Sequence, residues 1–338
     1  MTLPPYRGDV TTWRGETLFM LTVAVAATWS RLTPTLLAGP VENRRVVVSP
    51  AETLHVELAG TGPVVVLIPG LFGSAYGFRH VVRGLVDAGY RTVVIEPLAI
   101  GESSRPEGVD YSAGAQAGRI AAALDSLAIR QALVVAHSAA ASEALRLAYA
   151  RPDLVAAVLS IESGPAETIA TPGFRRAMRF APLVRLFGVS LLRRKIRHEL
   201  VSASGDDSWI TADVVRAYTA PAQRNLGATL KAFRAMANSQ EADSLGPHLP
   251  HIQIPVALLL GTAPHDAAVS QAEIRVMQEN LRSFAVDTVP GAGHYIQEER
   301  PEAVVAAISR LQSRATRAST ASELNRAIRG GSIPDASR

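Results

Sequence analysis

The sequence predicts an α/β protein: a mostly parallel sheet of roughly eight strands, flanked by helices and broken by a helical insertion. Three observations predict it. Short apolar, β-branched runs of the kind that sit buried on both faces of a sheet alternate with helix-forming segments. One such run, Ala132 to Ala136, meets Ser138 and passes at once into Ser142-Glu143-Ala144-Leu145-Arg146-Leu147-Ala148, which reads as strand, sharp turn, helix. The alternation then lapses over residues 166–252 and resumes at Ile254.

Taken in order, the first 40 residues stand apart. Arg7 and Arg14 precede an apolar run from Thr17 to Trp29, short for a bilayer span of roughly 20 residues. It fits the core of an export signal, with Ala24-Val25-Ala26 as a small-x-small site, or an interfacial anchor; it also fits a leading helix packed on the domain. Export or membrane association and a cytoplasmic location are left equally open. Strands are expected at Arg44 to Val48 and, from its period-2 alternation, at Thr53 to Leu58. Val64 to Ile68 is a buried strand running into Pro69-Gly70-Leu71-Phe72-Gly73-Ser74, where glycine lets the backbone bend close to a ligand. A helix follows from Tyr76 to Ala88, then a strand from Arg91 to Glu96, a loop to Pro106 and a helix from Ala113 to Leu127. Beyond the Ser138 turn come a strand from Val155 to Ile161, the helix-rich insertion, a strand from Ile254 to Leu260, another from Ala285 to Val289, and a helix from Pro301 to Leu311. Residues 312–338, rich in Ser, Ala, Arg and Gly, read as a mobile tail with a short helix near Ala321 to Ile328.

Composition narrows the chemistry. The chain has 338 residues, 48% of them hydrophobic, and carries no cysteine, which excludes disulfides, thiolate nucleophiles and cysteine-based zinc sites. Its net charge of +4 is too small to argue for nucleic acid. The eight histidines show no H-x-x-x-H spacing on a predicted helix, so neither a metal nor any other cofactor is expected.

The turn at Ala136-His137-Ser138-Ala139-Ala140 is a variant of G-x-S-x-G with both glycines replaced by alanine. With it the sequence resembles the α/β-hydrolase family, from about Glu42 to Leu311, on four landmarks in the family's order. They are Pro69-Gly70-Leu71-Phe72-Gly73, the strand and Gly-x-Ser loop from Val94 to Ser103, the Ser138 elbow, and Pro290-Gly291-Ala292-Gly293-His294-Tyr295. The resemblance implies an α/β-hydrolase sheet over residues 41–165 and 253–311, with residues 166–252 as a helical cap.

It also implies a division of labour. Ser138 would be the nucleophile, activated by His294 as base, since a serine hydroxyl is weak at neutral pH without one. The base needs a carboxylate to fix its tautomer. Asp266, on the loop after the Ile254–Leu260 strand, satisfies the order Ser, acid, His; Glu162, ending the strand after the nucleophile helix, is the rival. The backbone N–H groups of Leu71 and Ala139 would hold the oxyanion, with Phe72 and Tyr295 lining the pocket. His137 is expected to pack beneath the turn. A serine at the elbow points to acyl chemistry and away from the relatives that use aspartate there. The expected function is a serine hydrolase cleaving a carboxylic ester of a small, apolar acyl substrate through an acyl-enzyme. A C–C bond hydrolase, an acyltransferase, a haloperoxidase-like relative and a non-catalytic binding protein on the same fold remain alternatives. The arginines of the cap's first part read either as a basic face for anionic lipid or as a solvated helix face covering apolar surface.

Overall fold

The computed structural model describes residues 40–167, 172–179, 181–266 and 268–329. The expectations for the first 39 residues, including the signal or anchor reading, and for residues 330–338 lie outside the described residues. Eight strands form one sheet: β1 (Glu42–Ser49), β2 (Glu52–Ala59), β3 (Val64–Ile68), β4 (Arg91–Glu96), β5 (Ala132–His137), β6 (Val155–Ile161), β7 (Val256–Gly261) and β8 (Phe284–Val289), in the order β1-β2-β4-β3-β5-β6-β7-β8. β1 and β2 are antiparallel to their neighbours, and every pair from β4 through β3, β5, β6 and β7 to β8 is parallel.

Helices cover both faces, and the two-residue period of the strands divides the core between them. Val66, Ile68, Val134 and Ala136 pack with α2 (Ala113–Ser126) and α3 (Ala140–Ala150) through Ile120, Leu124, Ala144 and Leu145. Val65, Leu67, Leu133 and Val135 face the other way, onto α1 (Arg79–Asp87) and the C-terminal helix through Val81, Leu85, Val304 and Ile308.

Between β6 and β7 the chain forms α4 (Pro172–Met178), α5 (Ala181–Ala203), α6 (Ala212–Arg224) and α7 (Leu226–Asn238). α5 is kinked at Gly188, whose φ of 72° only glycine adopts without strain. Ile196 and Leu200 are buried against α6, while Arg194, Lys195 and Arg197 are exposed, the pattern of a solvated helix face. α8 (Gln271–Asn280) links β7 to β8, and after β8 come the short α9 (Ile296–Glu299) and α10 (Pro301–Arg329).

The last helix departs from expectation. It continues through residues 312–329 instead of giving way to a tail at Leu311. No Gly or Pro interrupts that stretch, its alanines and arginines are strong helix formers, and Ala315 is still buried against the core. Among the described residues no helix is long and apolar enough to cross a membrane.

Candidate active site

The sheet delivers its chemistry at the C-terminal ends of β5, β6, β7 and β8. Ser138 follows β5 with φ of 55°, a left-handed conformation rare for a residue with a side chain. Its N–H donates to Ile161 O (2.9 Å) and its carbonyl accepts from Ala141 N (2.9 Å), so the turn is clamped on both sides. Ala136 and Ala140, standing where glycine is usual, are fully buried and need no positive φ. The strain is confined to the serine. Gly70 explains why the neighbouring loop can come so near: a Cβ there would lie 2.7 Å from His137 O and 3.0 Å from Ser138 Cβ. Leu71 and Ala139 flank that approach, and among the described residues neither backbone N–H donates a hydrogen bond.

His294 follows β8 on a loop held from two directions. Its N–H donates to Ala203 O at the end of α5 (2.7 Å). The Glu299 carboxylate accepts from Gly293 N (3.1 Å), Gly205 N and Asp206 N (both 2.9 Å), tying the histidine loop to the end of the helical insertion. A Cβ on Gly293 would lie 2.5 Å from Ala203 O, so this seam admits only glycine. His137 packs against the His294 ring with centroids 4.8 Å apart, and its Nε2 lies 2.9 Å from His294 O. A carbonyl only accepts, so that nitrogen carries the hydrogen and His137 is a neutral brace. Burial pushes the His137 imidazole down to about 4. Burial, reinforced by His137 and His265, holds His294 well below the usual histidine range. His294 Nδ1 is buried without a hydrogen-bond partner.

The two carboxylates expected behind His294 occupy different surroundings. Asp266 is exposed; its N–H reaches Ser202 O (3.3 Å), and among the described residues its carboxylate accepts no hydrogen bond. Glu162 is buried, with a positive φ of 52° that turns the chain at the end of β6. One of its oxygens accepts from Gly261 N and the other lies 3.1 Å from His265 Nε2. A Glu162 oxygen, a His265 nitrogen and a His294 nitrogen all lie within 4.8 Å of one another. Burial raises the Glu162 carboxyl, against the pull of the Gly261 N–H and His265. His265 Nδ1 is taken by Ala263 O (2.8 Å). Within this cluster the Glu162 and His265 side chains are hydrogen-bonded to each other and to the backbone of Gly261 and Ala263, while His294 Nδ1 is buried without a partner.

Ser138, Ala139 and His294 border one cavity of about 430 Å³. Leu71, Phe72 and Tyr295 line it from the sheet side, and Phe174, Ile196 and Phe233 from the insertion. Phe72, Phe174 and Phe233 meet edge to face at 5.3 to 6.0 Å, which makes one wall aromatic. Tyr295 packs against Trp209 with tilted rings (5.6 Å), next to Tyr218, whose hydroxyl donates to Glu298 (2.8 Å) beside Arg79. Sequence reasoning assigns no role to Glu299. It assigns no role to His265, although its adjacency to Asp266 is itself the available signal.

The fold agrees with a comparison to known families. The profile of the alpha/beta hydrolase family matches residues 65–307, and the chain belongs to that family. It is 27% identical over 262 residues to the 2-(acetamidomethylene)succinate hydrolase of Mesorhizobium japonicum, covering 76% of this chain and 90% of that one. It is 26% identical over 266 residues to haloalkane dehalogenase 2 of Mycobacterium bovis, covering 75% and 90%. Among solved structures, a thermophilic esterase from Thermogutta terrifontis superposes with a TM-score of 0.66 at 20% identity, over 82% of this chain and 99% of that one. The hydrolase relatives support an enzyme.

Proposed function

We propose that this hydrolase is a serine esterase acting on a carboxylic ester with an apolar acyl group, through Ser138, His294 and Glu162. The observation that carries the reading is Ser138 itself, strained at the strand–helix junction on the cavity that His294 also borders. The aromatic wall suits an apolar acyl group. Glu162 takes the place first assigned to Asp266, because it is the buried carboxylate grouped with His294.

In the reaction, His294 Nε2 takes the proton from Ser138 Oγ as the oxygen attacks the ester carbonyl. The carbonyl oxygen, now negative, accepts from the N–H groups of Leu71 and Ala139; one such donor is worth about 3 kcal/mol of barrier. The imidazolium gives its proton to the departing alkoxide, leaving an acyl-Ser138. Water then repeats the sequence, with His294 taking its proton and returning one to Ser138. Glu162 faces the imidazolium in both halves. His294 stays neutral at rest because its environment holds it below 6.5, so it is ready to accept a proton at neutral pH.

The test is covalent labelling with a fluorophosphonate, alongside turnover of nitrophenyl esters of rising acyl length. Wild type is expected to label and Ser138→Ala to remain unlabelled and inactive. A folded wild-type protein that does not label, or a Ser138→Ala protein that does, removes Ser138 as nucleophile.

A further inference from the structure

The contact between Glu162 and His265 has a property that its distances determine. Ala263 O can only accept, so the 2.8 Å contact fixes a hydrogen on His265 Nδ1. At 3.1 Å, His265 Nε2 and the Glu162 oxygen need one hydrogen between them: with none, two lone pairs oppose each other, and with two, the hydrogens collide. The pair therefore holds a single shared proton. Glu162 and His265 side chains are 1% and 2% exposed, so the pair is shielded from solvent.

We propose that His265 is a positioning residue for the reaction, storing the Glu162 proton so that Glu162 becomes a carboxylate when His294 becomes charged. The proposal rests on the Ser138–His294–Glu162 reading. At rest the proton lies with Glu162, and the buried pair carries no charge, which is the cheaper arrangement for a desolvated acid. When His294 Nε2 receives the Ser138 proton, the shared proton passes to His265 Nε2. Glu162 is then an anion between two cations, His265 and His294. When His294 releases its proton to the leaving group, the shared proton returns. No proton enters or leaves the pair.

The groups facing the pair agree with this. The Gly261 N–H points at Glu162 and favours its anion; His294, on the loop after β8, faces both members. Glu299, from α9, raises Glu162 and so favours the resting protonated form. His137, behind His294, is neutral, and Asp266, next in the chain to His265, is exposed to solvent.

The experiment is His265→Gln, which keeps a hydrogen-bond donor towards Glu162 and cannot accept a proton. Its kcat is followed from about pH 5 to pH 10 with a nitrophenyl ester. Without His265, Glu162 must lose its proton to solvent from a buried position, so the acid limb moves to higher pH. The expected loss is roughly 30-fold at neutral pH, shrinking to a few-fold in alkaline buffer, with KM little changed. A His265→Gln profile that superimposes on wild type, or that is lowered equally at every pH, overturns the proposal; the second result is what a purely structural role would give. An independent readout is nitrogen NMR of histidine-labelled Ser138→Ala protein, in which His265 Nδ1 is expected to stay protonated across the range; its titration to a bare nitrogen also overturns it. Fluorophosphonate labelling of wild type separates the two readings, since its failure removes the esterase and says nothing against the shared proton.

Discussion

Two buried glutamates, one in the helix that follows Ser138 and one at the end of the strand beside it, have surroundings that make them different acids. Glu162, at the end of β6, is met by the Gly261 N–H and by His265. Glu143, in the first turn of α3, is as deeply buried, but its Oε2 has no partner, and burial together with Glu241 pushes its carboxyl up to about 8 against the pull of Arg119. A buried carboxyl with hydrogen-bond donors around it can be ionised when the chemistry calls for it; one without them stays protonated. Position near the serine is therefore not what qualifies a carboxylate for the site. The donors around it are.

The largest effect that tests this contrast is on turnover. In the proposed mechanism, Glu162→Gln keeps the volume and removes the anion that faces the His294 imidazolium. Loss of the orienting carboxylate in a comparable triad costs roughly 10³–10⁴-fold in kcat, and a fall of that order is expected here, measured on a nitrophenyl ester in a protein whose melting temperature is little changed. Glu143→Gln is expected to leave turnover within about two-fold in the same assay. Equal losses in the two variants would erase the distinction.

The same contrast marks where the sequence is informative. All eight strands are legible, the central ones because strands covered on both faces read as unbroken apolar runs and β2 because it alternates with period two, and the structure moves their ends by only a residue or two: β7 begins at Val256 where Ile254 is expected. The Ser138 turn is legible because strand, serine and helix are contiguous in the chain. The carboxylate behind the histidine is not contiguous with anything. Glu162 and Asp266 end neighbouring strands, and either fits the spacing. The positive φ at Glu162 and the Gly261 N–H that receives its side chain decide which one is buried, and both are properties of two strands brought together. His265 and Asp266 are adjacent, yet one side chain turns inward and the other outward. The end of the chain misled for a different reason: a stretch rich in Ser, Ala and Arg reads as a tail by composition, but it contains no helix breaker before Gly330 and α10 runs on.

A smaller effect is expected on stability, with a sign set by linkage. Glu143 ionises near 4.5 when unfolded and near 8 when folded. Below the lower value both states are protonated and nothing is lost. As pH rises between the two, the unfolded chain releases a proton that the folded one retains, and stability falls. Glu143→Gln removes this loss. The variant should match wild type near pH 4 and exceed it by at least about 1 kcal/mol near pH 8, read from denaturant unfolding at both values. A difference independent of pH would mean that Glu143 is ionised in the folded protein, and its contrast with Glu162 would close.

The smallest expected effect concerns Asp266, and it bears on the contrast from the other side. Its carboxylate is exposed, lacks a hydrogen-bond partner among the described residues, and borders the cavity alongside Glu199 and Lys195. Asp266→Asn changes one charge in a wet setting, where screening leaves little coupling to a buried ring. Turnover of a neutral ester should shift by less than about two-fold, a barrier change of roughly 0.4 kcal/mol. For Asp266 to serve as the acid, the loop from Gly261 would have to turn its exposed carboxylate toward His294. A loss of about 100-fold or more in Asp266→Asn, with Glu162→Gln active, would establish that rearrangement and move the acid from β6 to β7.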